Sequence, residues 1–468
     1  MFRRRPHRRT RTGAAFFAGL VLCSSAAACT TTSDSPASSE SSTTASSSST
    51  GPVTLRFAVY GNRVNVAAYR RIAEVYSQEH PNVTVRVEST PNAITAEDRL
   101  DRGFAAGSAP DLFLTDQTRL PSLVVAQQVQ PVDQLLEQRG VQFGDNFERL
   151  GLEAFSSDSA LQCMPNNVSP YVVFYNKRLV VPQMVTLPGE DPPTIETGWR
   201  WDQFAAAALQ MSHGGVKGVY LAPRLTTLAP LIRSAGKDIL DDPRVPTTLT
   251  LADEGTRTAL EQILTVARDP RITFSAEQLA RRDAISRFEN GQLGMMIGTR
   301  ALVPRLRERP SLRFDVFPLP SLGRPRTIAD ITGYCISKTS AHVPEAADFL
   351  AFASSKKAAS ITAETGAVVP ANLAALHSDA FLQPGQLPDN ADVFITSISR
   401  ADPLPFTTGW PDAVKQTQPL IDRLFNAPVL DLDTLLPRID EISAELLARP
   451  TPTPSPTPGS PTSSTPDS

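Results

Sequence analysis

The sequence predicts an α/β protein built as two lobes, and three observations carry that expectation. Strands and helical stretches alternate from Leu55 onward, a polar elbow interrupts them midway, and a second series of strands and helices follows. The elbow lies in residues 161–177 (LQCMPNNVSPYVVFYNK), where an apolar run stops at Pro165 and Pro170 and resumes in β-branched and aromatic residues at 171–175. At 468 residues the chain is long enough for two sizeable cores. Its formal net charge of −3 exerts no bulk pull on nucleic acid. No apolar run approaches the ~20 residues of a membrane-spanning helix.

The chain ends read as processing and tether segments. Residues 1–28 have a basic head (Arg3, Arg4, Arg5, Arg8, Arg9, Arg11), an apolar stretch at 14–22, and small residues Ser25, Ala26, Ala27 and Ala28 ahead of Cys29. This ending resembles the bacterial lipobox, which implies lipidation of Cys29. A secretory signal cut after Ala28 is the alternative. Residues 29–51 are rich in Ser and Thr and cannot build a core, so they suit a flexible tether spanning on the order of 25 Å. Residues 450–468 form a Pro/Thr/Ser tail, read as solvated.

Between them the elements follow in order. In 55–60, Leu55, Phe57 and Val59 fall to one side of a strand. Ala68, Ile72, Val75 and Tyr76 recur at helical spacing up to His80 and Pro81, and Val83, Val85 and Val87 alternate again. Such a strand–helix–strand unit is what parallel pairing requires. A third strand at 111–114 follows Gly107 and Pro110 and delivers Thr115 and Asp116 to a strand's C-terminal end, where open α/β sheets collect ligands. Past the elbow, 199–204 opens a helix with Thr197 or Asp202 as caps. Strands are expected at 216–221, 294–298, 314–319 and 331–337, and helices at 228–235, 284–290, 344–355, 413–425 and 431–447.

Several of these segments, in this order, resemble the sugar-binding group of bacterial extracellular solute-binding proteins. They are 79–83 (EHPNV), 107–116 (GSAPDLFLTD), the elbow, 199–204 (WRWDQF), 287–301 (RFENGQLGMMIGTRA), 333–338 (GYCISK), 366–372 (GAVVPAN) and the Gly409-Trp410 pair. The resemblance implies a periplasmic-binding-protein-like type II fold, with mixed sheets in two lobes joined by a multi-strand hinge. Lobe 1 would comprise 52–165 and 335–370, and lobe 2 would comprise 166–334 and 371–449. It further implies a monomeric, lipid-anchored substrate-binding component of an ABC transporter on the outer face of the cytoplasmic membrane. That component would capture a small carbohydrate and pass it to a permease, without cofactor, metal or nucleic acid. Two other readings stay open: an anionic polyol such as a glycerophosphodiester as ligand, and a surface glycan-active enzyme. A lectin without a permease is a third.

No catalytic motif emerges. There is no Gly-x-Ser-x-Gly, His-Glu-x-x-His or Gly-x-x-x-x-Gly-Lys-Ser/Thr pattern, and the five histidines are scattered. Once the signal is removed and Cys29 lipidated, Cys163 and Cys335 remain. The family's topology places them on adjacent crossing strands, and an exported location permits a disulfide. Two buried thiols are the alternative.

A sugar offers C–H faces and hydroxyls, so its site needs aromatic platforms and planar hydrogen-bonding groups. Strand ends and crossovers supply candidates: Tyr60, Asn62, Arg63, Thr115, Asp116, Asn166, Asn167, Ser169, Tyr220, Arg224, Thr299 and Arg300. Trp410 resembles the family's ligand-stacking indole. Each has a structural alternative, Asp116 as a helix cap, Trp410, Tyr60 and Tyr220 as packing, the arginines as surface charges. The family often has Trp where this chain has Arg300, and a Trp-rich segment where it has residues 60–63 (YGNR). Fewer stacking faces and more guanidinium groups favour a smaller, more polar or anionic ligand.

Overall fold

The computed structural model describes residues 51–157, 159–243 and 246–447. The expected signal, Cys29, the tether up to residue 50 and the tail at 450–468 lie outside them.

Among the described residues, thirteen strands form two main sheets and a short hairpin. The first-lobe strands are β1 (Val53–Tyr60), β2 (Val83–Thr90), β3 (Leu112–Asp116), β4 (Val129–Gln130), the hairpin β5 (Ser156–Ser157) and β6 (Ala160–Leu161), and β7 (Met164–Pro170). Next come β8 (Val172–Asn176), β9 (Lys217–Tyr220), β10 (Leu293–Gly298) and β11 (Phe314–Phe317), followed by β12 (Thr327–Ser337) and β13 (Ala401–Asp402). One sheet runs β13-β12-β3-β1-β2, with β4 and β7 also pairing to β12; the other runs β11-β8-β10-β9. Both are mixed: β1 is parallel to β2 and β3, β12 antiparallel to β3 and β7, and β8 antiparallel to β10 and β11.

The first sheet is fixed by the alternation seen in sequence. Leu55, Phe57 and Val59 point inward, against the helix α1 (Arg63–Glu79). Asn62 caps α1 by accepting from the amides of Val64 and Asn65, and the helix ends at His80, whose ring stacks on Tyr76 at 4.2 Å. Phe57, Tyr69, Tyr334 and Phe349 meet edge to face in the core beneath, a favoured aromatic geometry. In the second lobe, helix Trp201–Met211 rides directly on β9. A Cβ on Gly218 would lie 1.9 Å from the Ala208 carbonyl oxygen, so only glycine allows that approach.

The passages between sheets differ from those expected. The changeovers placed at 165/166 and 334/335 fall inside β7 and β12, which both remain in the first sheet. The chain leaves that sheet at Tyr171, returns between Phe317 and Thr327, and leaves again between Asp402 and Trp410, not at 370/371. Pro165 does not end a strand: it pairs with Gly333 where the β7–β12 register shifts, and a bulge tolerates a residue without an amide hydrogen. Residues 368–370 do touch the crossing, since Val168 donates to the Val369 carbonyl. Cys163 and Cys335 are joined by a disulfide, with Cα atoms 4.5 Å apart and both side chains fully buried.

Candidate ligand-binding cleft

The C-terminal ends of β1 and β3, the middle of β12, the Tyr171 crossing and the loop after β9 bring polar side chains together. In the β3–β12 register Asp116 stands opposite Thr332, so Asp330 lies two residues away on the same side of the sheet. The Asp116 and Asp330 carboxyl groups hydrogen-bond each other. Asp116 also accepts from the Thr118 amide at 2.8 Å and the Thr118 hydroxyl at 2.7 Å. Burial raises both carboxyls above their ordinary range; Thr118 opposes the rise at Asp116, and the Asp116 charge pushes Asp330 further, to about 7. Below about pH 7 the Asp330 carboxyl therefore keeps a proton that it can donate to Asp116.

Two tyrosines flank this pair. Burial, then Asp116 and Asp330, push the Tyr60 phenol up, and burial, Asp330 and Asp116 do the same to Tyr171, whose hydroxyl hydrogen-bonds Thr226. Arg224 opposes the shift at both Tyr171 and Tyr220. Tyr60, Asp116, Tyr171, Tyr220 and Asp330 are half-buried, whereas Arg224 is exposed. Its side chain makes no hydrogen bond or ion pair among the described residues. The result is a polar cluster drawn from the first sheet, the crossing and the loop after β9, its members near enough for their charges to act on one another. Chemically it offers a carboxyl donor, carboxylate acceptors, aromatic faces and a guanidinium fork, which suits hydroxyl-rich solutes.

The other expected residues are placed differently. Asn62 is the α1 cap, and Arg63 beside it is exposed. Thr115 is 3% exposed within β3. Asn166 turns into the first lobe, donating to the Tyr334 hydroxyl at 3.2 Å and accepting from Thr332 at 2.7 Å. Asn167 ties the crossing strands by donating to the Asp330 carbonyl and accepting from the Val369 amide. Ser169 accepts from the Arg300 amide at 3.2 Å. These elbow side chains hold strands together, because a buried crossing of three segments must satisfy its own backbone.

Arg300 and Trp410 need correction as cleft residues. Arg300 is fully buried, its guanidinium 4.0 Å from the Phe381 ring centroid and 5.3 Å from that of Phe394, with the Phe381 carbonyl as acceptor. Trp410 is 4% exposed and belongs to the second-lobe core with Leu225, Ala229 and Ile421. Thr299 remains half-buried, preceding the turn Arg300–Leu302.

Asp330, Tyr171, Thr118 and Thr226 were not expected from sequence. Asp330 did leave a signal, a lone charge inside the otherwise uncharged run TIADITGYCIS.

A family model described as bacterial extracellular solute-binding protein matches residues 71–389. Among solved structures, the chain is similar to the ABC substrate-binding protein Lmo0181 from Listeria monocytogenes in complex with cycloalternan, at TM-score 0.73 and 19% identity over 84% of this chain and 99% of that one. The sugar-binding protein MalE from Xanthomonas citri matches at 0.72 and 16%, over 84% and 97%. UgpB from Mycobacterium tuberculosis in complex with glycerophosphocholine matches at 0.70 and 15%, over 86% and 99%. At these identities the likeness is one of fold. No curated protein matches.

Proposed function

The chain belongs to the bacterial extracellular solute-binding proteins, and from that premise we propose that it is the substrate-binding lipoprotein of an ABC importer. It captures an extracellular carbohydrate or sugar derivative between its lobes and delivers it to a membrane permease. It acts as a monomer held to the outer face of the cytoplasmic membrane through Cys29. The observation that carries this reading is the polar cluster formed by Tyr60, Asp116 and Asp330 from the first sheet, Tyr171 at the crossing, and Tyr220 and Arg224 from the second. A solute touching both halves favours whichever lobe arrangement offers all these contacts, so binding and closure are linked.

Binding without catalysis fits the carboxyl geometry. Retaining glycosidases keep their two carboxyls roughly 5 Å apart, and inverting ones further. Asp116 and Asp330 are in direct hydrogen-bond contact. A second ligand class, an anionic polyol such as a glycerophosphodiester, is favoured by the exposed Arg224 in the same cluster.

A thermal-shift screen of neutral oligosaccharides, sugar acids and glycerophosphodiesters tests both readings. A ligand present at a hundred times its Kd stabilises by about 2.7 kcal/mol. Tyr171→Ala should abolish the shift for every class, and Arg224→Ala should abolish it for phosphodiesters alone. Turnover of a glycan, or no shift with any class, would overturn the proposal.

A further inference from the structure

The helix α2 (Ala93–Ala105) covers the other face of the first sheet, and covers it poorly. Of its thirteen residues only Leu100 is buried. The positions it turns toward β1 and β3 include Ala96, which is too small to fill the gap. A cavity of about 320 Å³ remains between helix and sheet, within the range of small-molecule sites. It runs beside β1 from Tyr60 back to Arg56, a distance of roughly 13 Å at strand rise. Ala58, Ala96, Leu100 and Phe113 supply its apolar lining, and Thr90, Arg102 and Ser108 line it too. Glu88, on β2 opposite Ala58, also lines it and pairs with Arg56 at 2.9 Å and Arg99 at 2.8 Å. Its near end is lined by Tyr60, Thr115 and Glu97. Tyr60 and Thr115 stand at the C-terminal ends of β1 and β3, so the near end lies at the same sheet edge as Asp116 and the proposed ligand site.

We propose that this cavity is an apolar subsite of the cleft, and that the solute is amphiphilic: a sugar bearing a short alkyl or aryl aglycone. This rests on the sugar-binding reading above. The polar head is held at Asp116, Asp330 and Tyr171, while the aglycone passes Tyr60 and lies under α2. Pairing with Arg56 and Arg99 leaves Glu88 no free charge to offer the aglycone.

The test uses the full mature chain and two kinds of probe. The first is the neutral fluorophore N-phenyl-1-naphthylamine, which reports an apolar cavity whatever the sugar preference. The second is a series of methyl, butyl, hexyl and octyl glucosides. The fluorophore should bind the wild-type protein and be displaced by octyl but not methyl glucoside, with affinity rising up to about fourfold per methylene along the series. Ala96→Leu and Ala58→Leu, which fill the cavity from helix and strand respectively, should each weaken fluorophore binding at least tenfold. Both should leave the thermal shift from an aglycone-free sugar unchanged; that shift also serves as the check that each variant is folded. No fluorophore binding, or equal binding by the filled variants, overturns the subsite whether or not plain sugars bind. Loss of all sugar-induced shifts in the wild type, with fluorophore binding intact, would instead fail the sugar reading and leave an apolar pocket of other use.

Discussion

Asp116 at the end of β3 and Asp330 within the antiparallel β12 hydrogen-bond through their carboxyl groups, and burial raises both above the ordinary carboxyl range. Asp330 is raised to about 7 by burial and by the Asp116 charge, well above an unfolded aspartate. From about pH 4 to pH 7 the native state thus keeps a proton that the unfolded chain has lost, and stability falls as pH rises through that window. Asp330→Asn preserves a donor to Asp116 and removes the linkage. The variant should show a flatter stability profile between pH 4.5 and 7, and exceed the wild type at pH 8 by on the order of 1–2 kcal/mol. Ligand-free urea unfolding at several pH values measures this; parallel curves for the two proteins would mean that Asp330 keeps no such proton.

The same pair shows how far the sequence could be read. Strand ends were legible, since alternation stops where turns begin, and that located Tyr60, Asp116, Tyr220 and Arg224. Asp330 was not. The strand was expected to start at Ile331, because a carboxylate is unfavourable in a buried strand unless another chain segment pairs with it. That partner, Asp116, is far away in sequence. The asparagines at 166 and 167 were misplaced for a related reason. A polar elbow looks alike whether its amides face a ligand or a neighbouring strand, and here they bond Tyr334, Thr332, Asp330 and Val369.

The Cys163–Cys335 bond ties the residue just ahead of β7 to β12, one step beyond the Met164–Tyr334 pair. Its two Cα atoms lie 4.5 Å apart. It closes a loop of 172 residues, so replacing both cysteines with alanine should cost on the order of 4 kcal/mol. Because the bond does not bridge the sheets, ligand affinity should be unchanged. Denaturant unfolding and calorimetric titration of the double variant check both statements, and a large loss of affinity would show that the bond sets the hinge itself.

Among the described residues Arg300 has no acidic partner, and its Nε and Nη1 atoms are buried without hydrogen bonds. Burial pushes its guanidinium down from the usual arginine range. A charge held this way is costly, and an apolar side chain of similar volume is the better occupant. Arg300→Met should leave stability unchanged or raise it by about 1–3 kcal/mol. Arg300→Ala, which also opens a void against Phe381 and Phe394, should lower it. Neither should alter ligand affinity. An affinity loss in the methionine variant at full stability would return Arg300 to the cleft.

Trp410 opens the helix Trp410–Asn426 with its indole packed among second-lobe apolar residues. The resemblance to solute-binding proteins pointed instead to a stacking platform for the ligand, and the two roles separate cleanly. As a core residue, Trp410→Ala should lower ligand-free stability by about 3–5 kcal/mol, visible as a clear drop in Tm. The ligand-induced shift should persist in the fraction that remains folded, because no cleft group is removed. Trp410→Phe should recover most of the lost stability. Scanning calorimetry with and without the best ligand from the screen decides it: an unchanged ligand-free midpoint together with a lost ligand shift would place the indole on the solute after all.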